Sequence, residues 1–376
     1  MIEARVFIDA AQAHGFELYT GVPCSYLKPF INYVIDSTQL RYVGVANEGD
    51  AIAVAAGASL AGQRSVAMFQ NSGLGNAVNP LTSLAYTFRA PMLLIPTLRG
   101  EPGGAVDEPQ HELMGAITSS MLELMQIAWE YFPVDEADIE SALRRAVDKI
   151  NAGESYALVM RKGSVAANPL NSVARVRVPD RFTGKIATAS ASRNEILHAV
   201  QNVTAKSTGA AVVATTGYTG RELYACDDRA NQIYMVGSMG CAISLGLGIA
   251  LTQPQRKVVI LDGDGAALMR LGAQSIVGYE QPDNLVHVLL DNAIHESTGG
   301  QSTVARSVDF CSIAAASGYA NVASLSQPDQ VADAVQNSNG PAFVHVPILP
   351  GVPDNLPRPD KTPVEIAERF RGFLSA

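Results

Sequence analysis

The sequence is 376 residues long, which exceeds one typical domain and suits two domains that each bury a core. Hydrophobic residues make up 47% of it and charged residues 17%, a balance that excludes an intrinsically disordered chain. The formal net charge is −9, and lysines and arginines form no cluster. This argues against a nucleic-acid partner, because binding to phosphate backbones requires a positive surface.

Neither secretion nor membrane insertion is indicated. The residues after Met1 lack the basic stretch and apolar core of a signal peptide. The most apolar run, residues 235–251, is short for a membrane span, and its small residues favour a buried helix. No paired spacing typical of a zinc or redox site is found among Cys24, Cys226, Cys241 and Cys311. We therefore expect a reducing, cytoplasmic location.

The first half alternates strand-like and helix-like runs. Short apolar runs end in turn residues, and helical patterns lie between them. We predict strands at residues 16–20, 42–45, 64–69, 91–96 and 156–161, and helices at residues 51–60 and 80–87. Strands that alternate with helices imply a mostly parallel sheet with helices on both faces.

The alternation breaks once and then resumes. Residues 166–190 contain prolines and scattered serines without a helical period, which predicts a linker. Ser192 and Glu195 then predict a capping box at the start of a helix. Later strands are predicted at residues 210–214, 257–261, 285–290 and 342–346. The predicted fold is α/β, with one domain at residues 1–165 and another at residues 191–376.

Two polar segments of the second domain come directly after predicted strands. Asp262-Gly263-Asp264-Gly265 follows one strand, and Asp291-Asn292 follows the next. Ligands of parallel sheets bind at the carboxyl ends of strands, and carboxylate and amide oxygens are ligands that Mg²⁺ accepts. Each segment alone is equally typical of an ordinary turn. The two together make Asp264 and Asn292 candidate metal ligands.

This pair resembles the magnesium and diphosphate fingerprint of thiamine-diphosphate-dependent enzymes. The resemblance implies thiamine diphosphate and Mg²⁺ as cofactors, a pyrimidine-binding first domain, a pyrophosphate-binding second domain and no central third domain. It implies that Asp264 and Asn292 bind the metal through side chains and Ile294 through its carbonyl. The implied contacts to the cofactor in this region are Gly263, Asp264, Gly265, Ala266 and Asn292.

Two further places match the same family. Glu48 starts an alanine-rich helix, as does the family's glutamate, which activates the cofactor through its pyrimidine ring. Taken alone, Glu48 is better explained as a carboxylate stabilised by a helix N-terminus. In Gly237-Ser238-Met239, the resemblance implies that Met239 supports the bent cofactor and that the Gly237 carbonyl accepts from its amino group. Taken alone, Met239 is more typical of plain core.

The resemblance covers nearly the whole chain and is closest to the phosphonopyruvate decarboxylase family. Its most specific stretches are Asp107-Glu108-Pro109-Gln110-His111 and residues 290–301. It implies decarboxylation of 3-phosphonopyruvate to phosphonoacetaldehyde and CO₂, in phosphonate biosynthesis. Two residues depart from the expected pattern, since Cys24 and Glu296 stand where many relatives carry aspartate.

A substrate with a phosphonate and a carboxylate requires hydrogen-bond donors near the cofactor. Ser297, Thr298 and Gly299 come shortly after Asn292 and are predicted to offer N–H groups and hydroxyls. The same residues are also typical of a flexible glycine turn. Other predicted substrate contacts are Cys24, Ser25, Gln70, Asn71, Gln110 and His111. His111 and His295 are predicted to move protons, with a structural role equally open for each. Further candidates for anion binding are Arg99, Arg161 and Lys162.

Several alternatives stay open. Sulfopyruvate or another short 2-oxo acid could be the substrate, and the charge of the pocket would discriminate, because a sulfonate carries one negative charge and a phosphonate up to two. A carboligase would need a second acceptor site, and a non-catalytic relative would be expected to lose Glu48, Asp264 or Asn292. The resemblance further implies a homodimer or larger, with active sites at the subunit interface, and no membrane partner.

Overall fold

The structure, a computed structural model, describes residues 1–173, 175–206 and 209–376. It divides into two compact units, Met1–Arg175 and Val176–Ala376. Each unit contains a six-stranded sheet with helices packed on it, which confirms the predicted α/β class. No helix in the described ranges is both long enough and apolar enough to cross a membrane.

The first unit alternates helices and strands. In chain order its elements are α1 (Ala4–Ala13), β1 (Phe16–Gly21), α2 (Lys28–Asp36), β2 (Arg41–Gly44), α3 (Glu48–Leu60), β3 (Arg64–Gln70), α4 (Leu74–Pro80), β4 (Leu93–Thr97), α5 (Glu112–Leu124), β5 (Ala128–Tyr131), α6 (Ile139–Asn151) and β6 (Tyr156–Val159). The strands pair in parallel in the order β2-β1-β3-β4-β6-β5. The chain thus changes direction across the sheet between β1 and β3, and ligands of such sheets bind at the carboxyl ends beside this point.

Small and apolar residues explain how this unit packs. Every residue of β4 is buried, as expected of a strand covered on both faces. The alanines of α3 let nearly the whole helix circumference be buried. Gly21 allows β1 to approach β3, because a Cβ at this position would lie 1.8 Å from the Met68 carbonyl oxygen. These close contacts fix the carboxyl ends of β1 and β3 relative to each other.

The second unit repeats the architecture. In chain order its elements are α7 (Arg193–Lys206), β7 (Ala211–Ala214), α8 (Tyr218–Cys226), β8 (Gln232–Tyr234), α9 (Ala242–Thr252), β9 (Val258–Gly263), α10 (Asp264–Met269), α11 (Ala273–Glu280), β10 (Leu285–Asp291), β11 (Ile294–His295), β12 (Gln301–Ser302), α12 (Phe310–Ser317), β13 (Asn321–Ser324), α13 (Pro328–Asn337), β14 (Ala342–Pro347) and α14 (Pro363–Leu374). The main sheet is parallel, in the order β13-β14-β10-β9-β7-β8. Counted along the chain, this is the strand order of the first unit, and the reversal lies between β7 and β9.

Differences from the predicted elements are local. The helix predicted at residues 80–87 begins earlier, with α4, and continues after Pro80 as a π-helical turn, Leu81–Ala85. Proline lacks the N–H that an α-helix needs at this position, which explains the change. The capping box before α7 is confirmed, since the Ser192 N–H donates to Glu195 Oε2 at 2.8 Å and the Glu195 N–H donates to Ser192 Oγ at 3.3 Å.

The segment predicted as a linker, residues 166–190, contains no helix or strand among its described residues. Its first part is bonded to the first unit, where the Asn32 amide donates to the Asn168 carbonyl at 2.7 Å. Its later part is bonded to the second unit, where the Ala187 N–H donates to Ser324 Oγ at 3.0 Å. The segment is therefore irregular but tied down at both ends.

Candidate active site

Asp264 and Asn292 follow adjacent strands of the second sheet. In the pairing of β9 with β10, Gly263 lies opposite Leu290. Asp264 is the first residue of α10, directly after β9, and Asn292 comes directly after β10. The two predicted metal ligands therefore lie at the same edge of the sheet, and they line one hollow.

Asp264 is a buried carboxylate without a cationic partner among the described residues. Its residue is 3% exposed, and the Thr303 hydroxyl donates to Oδ2 at 2.6 Å. Burial raises the pKa of Asp264, and the nearby carboxylate of Asp291 raises it further. No lysine or arginine pairs with it within the described ranges. A bound cation would relieve the cost of this buried negative charge.

Asn292 is held by a chain of polar contacts that the sequence did not reveal. Its Nδ2 donates to Glu296 Oε2 at 3.2 Å, and the same oxygen accepts from the Arg193 guanidinium. The other side of that guanidinium donates to Glu222, which is fully buried. Asn292 Oδ1 accepts the Ile294 N–H at 3.2 Å, which leaves this oxygen a second lone pair for another ligand.

The hollow beside these residues has a volume of about 80 Å³. Of the residues predicted from sequence, it is lined by Met239, Gly263, Asp264, Gly265, Ala266, Asn292, Ile294, His295 and Ser297. A Cβ on Gly265 would lie 2.6 Å from His295 Cε1 and 3.3 Å from Met239 Cε. The imidazole and the methionine side chain therefore pack directly on the acidic turn.

A third strand end contributes residues that the sequence analysis missed. The hollow is also lined by Thr215, Thr216, Gly217, Tyr218 and Thr219, which follow β7. β7 and β9 flank the reversal point of the second sheet, where ligand sites are expected. The Thr-Thr-Gly run directly after the predicted strand at residues 210–214 could have indicated these residues.

The other predicted residues of this unit lie outside the hollow. Ser238 is buried with a positive φ of 53°, and Gly237 before it is half-buried. Thr298 and Gly299 are exposed, and the Thr298 hydroxyl donates to the His295 carbonyl at 3.2 Å. The segment after Asn292 thus bonds partly to itself.

Cys24, Gln70 and His111 form a polar chain at the carboxyl edge of the first sheet. Cys24 follows β1 and Gln70 ends β3, so they flank the reversal point of that sheet. The Cys24 thiol lies 3.8 Å from Gln70 Oε1, and Gln70 Nε2 lies 3.3 Å from His111 Nε2. His111 Nδ1 in turn lies 3.1 Å from Asp107 Oδ1. The structure therefore joins three predicted site residues and adds Asp107.

Arg99 fixes the charge of Asp107. Its guanidinium donates to both carboxylate oxygens, with Nε at 2.6 Å from Oδ2. This pairing holds the pKa of Asp107 well below its ordinary value, so Asp107 is ionised at neutral pH. An ionised Asp107 favours a proton on His111 Nδ1, so Nε2 accepts the hydrogen bond from the Gln70 amide.

Three other predicted residues of the first unit are placed differently. Asn71 is fully buried, and its amide donates to the Arg99 carbonyl at 2.9 Å and to the Thr118 hydroxyl at 3.0 Å. Its side chain therefore fastens the loop that carries Arg99. Ser25 and Gln110 are exposed and do not join the polar chain.

Glu48 is the first residue of α3, and its carboxyl is held on one side. The Asn76 amide donates to Oε2 at 2.8 Å, and Oε1 accepts no hydrogen bond from the described residues. Gly73 packs against this side chain, because a Cβ there would lie 2.4 Å from Glu48 Cγ and 2.5 Å from Oε1. The arrangement leaves one carboxyl oxygen open.

Comparison with known proteins identifies the family. The chain is 44% identical to the phosphonopyruvate decarboxylase of Streptomyces viridochromogenes, over 100% of this chain and 96% of that protein. The chain belongs to the phosphonopyruvate decarboxylase family. It is also 29% identical to a sulfopyruvate decarboxylase of Methanosarcina acetivorans, over 98% of this chain and 96% of that protein.

Membership of the phosphonopyruvate decarboxylase family agrees with two domain matches. Residues 1–118 match the N-terminal, and residues 216–346 the C-terminal, TPP binding domain of thiamine pyrophosphate enzymes. The benzoylformate decarboxylase structure from Polynucleobacter necessarius aligns with a TM-score of 0.71 at 12% identity, covering 94% of this chain and 100% of that one, which shows a shared fold. Thiamine pyrophosphate is another name for thiamine diphosphate. The protein is thus a thiamine-diphosphate-dependent decarboxylase with a small-molecule substrate.

The donor set of the second unit fits a magnesium-bound diphosphate of this family. Asp264 supplies a buried carboxylate in need of a cation, and Asn292 an amide oxygen. Within the described ranges, no group of three or more histidine, cysteine or acidic residues could hold a metal. Mg²⁺ does not need such a group, because it is commonly bound by one or two carboxylates together with phosphate oxygens and water. The Thr215 and Thr216 hydroxyls beside them suit phosphate oxygens.

Proposed function

We propose that the protein converts 3-phosphonopyruvate to phosphonoacetaldehyde and CO₂, using thiamine diphosphate and Mg²⁺, and that it serves phosphonate biosynthesis. The observation that carries this proposal is the 44% identity along the full chain to a phosphonopyruvate decarboxylase. Glu48, Asp264 and Asn292, the three residues that the resemblance makes essential, are all present. A non-catalytic relative would be expected to lack at least one of them.

In the proposed site, Asp264, Asn292 and the Ile294 carbonyl hold Mg²⁺. The uncompensated buried charge of Asp264 supports this role, because a divalent cation converts an unfavourable carboxylate into a strong ligand. Glu296 orients Asn292, because the hydrogen bond from Asn292 Nδ2 to Glu296 keeps the amide oxygen directed away from the carboxylate. Gly263, Gly265 and Ala266 then face the diphosphate.

Glu48 acts on the pyrimidine end of the cofactor in this proposal. When bound, thiamine diphosphate supplies a thiazolium ring, of which one carbon would add to the 2-oxo group and which would take up the electrons released with CO₂. Glu48 would share a proton between its open Oε1 and the pyrimidine ring, which prepares that carbon. The Asn76 bond to Oε2 supports this role because it fixes the direction of Oε1.

His111 is the proposed proton carrier of the first unit. Asp107 is ionised and lies 3.1 Å from Nδ1, so Nε2 is the nitrogen available to exchange a proton. Gln70 and Cys24 continue the same polar chain and are proposed substrate contacts. On the other unit, His295 packs on Gly265 and is a second candidate near the cofactor.

Sulfopyruvate is the second candidate substrate. The 29% identity to a sulfopyruvate decarboxylase along nearly the whole chain favours it over other short 2-oxo acids. Its sulfonate carries one negative charge, whereas a phosphonate carries up to two. Cationic side chains that face the substrate without carboxylate partners would therefore favour the phosphonate.

We further propose that the active enzyme is a homodimer or larger, with the active sites at subunit interfaces. This rests on the family resemblance, in which one cofactor is held by two subunits. Light scattering on the holoenzyme tests it, and a fully active monomer would contradict it.

Product analysis tests the proposed reaction. With thiamine diphosphate and Mg²⁺, we expect ³¹P nuclear magnetic resonance to show conversion of the phosphonopyruvate signal into that of phosphonoacetaldehyde. Glu48→Gln should give no conversion while retaining cofactor binding, because the amide cannot share the proton but keeps the shape of the side chain. Unchanged phosphonopyruvate with the wild-type protein would refute the proposal.

A further inference from the structure

A basic pocket of about 460 Å³ adjoins the hollow beside Asp264 and Asn292, which we call the cofactor hollow. The two share the lining residues Thr216, Gly217, Tyr218 and Ser297. The pocket is further lined by Arg221, Arg358 and Lys361, and no acidic side chain of the described residues lines it. This is notable in a chain with a net charge of −9. Its volume is within the range of small-molecule sites.

Arg221 is oriented by carbonyl groups and is not neutralised. It lies on α8, where its Nε donates to the Pro357 carbonyl at 3.2 Å and its Nη2 donates to the Leu356 carbonyl. No carboxylate pairs with it among the residues that the structure describes. A guanidinium has five N–H donors, so three remain for an anion. The carbonyl contacts fix its direction, which lowers the entropy lost when an anion binds.

The other two cations differ in how far they are compensated. Arg358 is exposed and has no ion-pair partner within the described ranges. Lys361 lies 3.5 Å from Asp228 and 3.6 Å from Asp360, so its charge is partly compensated. Arg221 and Arg358 thus carry the uncompensated positive charge of the pocket.

Of the three cations predicted for anion binding in the first unit, Arg99 and Arg161 are already paired, and Lys162 is exposed. Arg99 is bound by Asp107 through two hydrogen bonds, and Arg161 lies 2.7 Å from Glu101. A dianionic group therefore gains less from these arginines than from Arg221. Carboxylates thus compensate Arg99 and Arg161, whereas Arg221 and Arg358 have no carboxylate partner among the described residues.

We propose that this pocket binds the phosphonate group of the substrate, with Arg221 and Arg358 as specificity-determining residues. The inference rests on the proposed function, since it assigns one part of the 3-phosphonopyruvate molecule to one part of the chain. Ser297 lines both the pocket and the cofactor hollow, which suits a substrate in which a single methylene group separates the 2-oxo carbon from the phosphonate. A guanidinium can bind two phosphonate oxygens at once through two parallel N–H groups. Two uncompensated cations also favour a ligand with two negative charges over one with a single charge.

Binding of phosphonoacetate to the holoenzyme tests the pocket. This probe has the carboxylate and phosphonate but no oxo group, so it is not turned over. Calorimetry should show weaker binding by about ten- to a hundredfold in Arg221→Gln and by about three- to tenfold in Arg358→Gln, since hydrogen bonds to charged groups are the strong ones. Arg181→Gln, an exposed arginine outside the pocket, is the matched control and should bind as the wild type.

Kinetics with 3-phosphonopyruvate complete the test. In both pocket variants KM should rise with the calorimetric Kd, while kcat changes less. Arg221→Lys keeps the charge and should retain more affinity than Arg221→Gln. Because Arg358 makes no hydrogen bond or ion pair with any residue that the structure describes, its variant stays informative even if Arg221→Gln folds poorly. Unchanged Kd and KM in a folded Arg221→Gln or Arg358→Gln would overturn the pocket, whereas a wild-type protein inactive on 3-phosphonopyruvate would overturn the proposed function.

Discussion

The side-chain amide of Asn292 is hydrogen-bonded to Glu296, with Nδ2 at 3.2 Å from Oε2. The same carboxylate accepts a hydrogen bond from the Arg193 guanidinium at Oε2 and one from the Gly351 N–H at Oε1. Glu296 therefore connects a proposed metal ligand to a buried ion pair. A residue that orients a metal ligand typically changes metal affinity by about ten- to a hundredfold when it is mutated.

Glu296→Gln should weaken Mg²⁺ binding by about tenfold or more. The NH2 group of the new amide would face either Asn292 Nδ2 and Arg193 or the Gly351 N–H, so one set of the present contacts would be lost and the amide oxygen of Asn292 would be held less firmly. The measurement is the Mg²⁺ dependence of thiamine diphosphate binding by calorimetry. Glu368→Gln, an exposed carboxylate on α14, serves as the control. Equal Mg²⁺ affinity in the two variants would show that Glu296 does not orient the ligand.

Gly73→Ala should lower kcat by about tenfold or more while the protein stays folded. The added Cβ would lie 2.5 Å from Glu48 Oε1, so the carboxyl must turn away from its present direction. Gly75→Ala is a matched control in the same helix region, because its Cβ would meet nothing within 4 Å. Steady-state kinetics and circular dichroism of both variants check this. Equal activity would mean that the direction of Glu48 is unimportant.

Asp107→Asn should lower kcat and also change the acid stability of the protein. The folded-state pKa of Asp107 is depressed by Arg99, so its ionised form stabilises the fold. That contribution is fully present above the ordinary carboxyl value of 3.8 and is lost as the pH falls below it.

Urea unfolding at pH 7, 5 and 3 measures this contribution. The free energy of unfolding should be lower in Asp107→Asn than in the wild type at pH 7 and 5, and the gap should narrow at pH 3. Asp148→Asn, an exposed aspartate on α6, should show no such gap. A gap that widens on acidification would contradict the pairing of Asp107 with Arg99.

Asp264→Asn should stabilise the metal-free protein and remove its response to Mg²⁺. The substitution keeps an oxygen for the Thr303 hydroxyl and removes a buried charge for which the described part of the chain offers no cationic partner. We expect a melting temperature a few degrees higher without ligands, in line with a gain of about 1 kcal/mol. Thermal unfolding with and without Mg²⁺ and thiamine diphosphate tests this. A large Mg²⁺-dependent shift in the variant would rule out Asp264 as a ligand.

Most of the fold followed from sequence periodicity because the central strands are fully buried. β9 and β10 read as continuous apolar runs, and the structure extends each predicted strand by only one or two residues at the site edge. The strands that were missed are the edge strands β5, β8 and β13 and the two-residue strands β11 and β12. Half-exposed strands such as β13 lack the apolar run that makes a strand visible.

The site was only partly visible for a different reason. Asp264 and Glu48 could be found because a local motif marks each of them. Arg193 comes from a distant segment and reaches the site only through the tertiary fold. Thr303 lies just beyond the family-specific stretch 290–301, so no motif marks it. The basic pocket was hidden in the same way, because Arg221 and Arg358 are far apart in sequence.

The most direct test of the account is CO₂ release by the wild-type protein with thiamine diphosphate and Mg²⁺ from three acids in parallel. We predict that 3-phosphonopyruvate is decarboxylated with the highest kcat/KM, sulfopyruvate more slowly and pyruvate least. The order follows from the number of negative charges that the uncompensated arginines can bind. No release from 3-phosphonopyruvate, alongside rapid release from sulfopyruvate or pyruvate, would contradict the account.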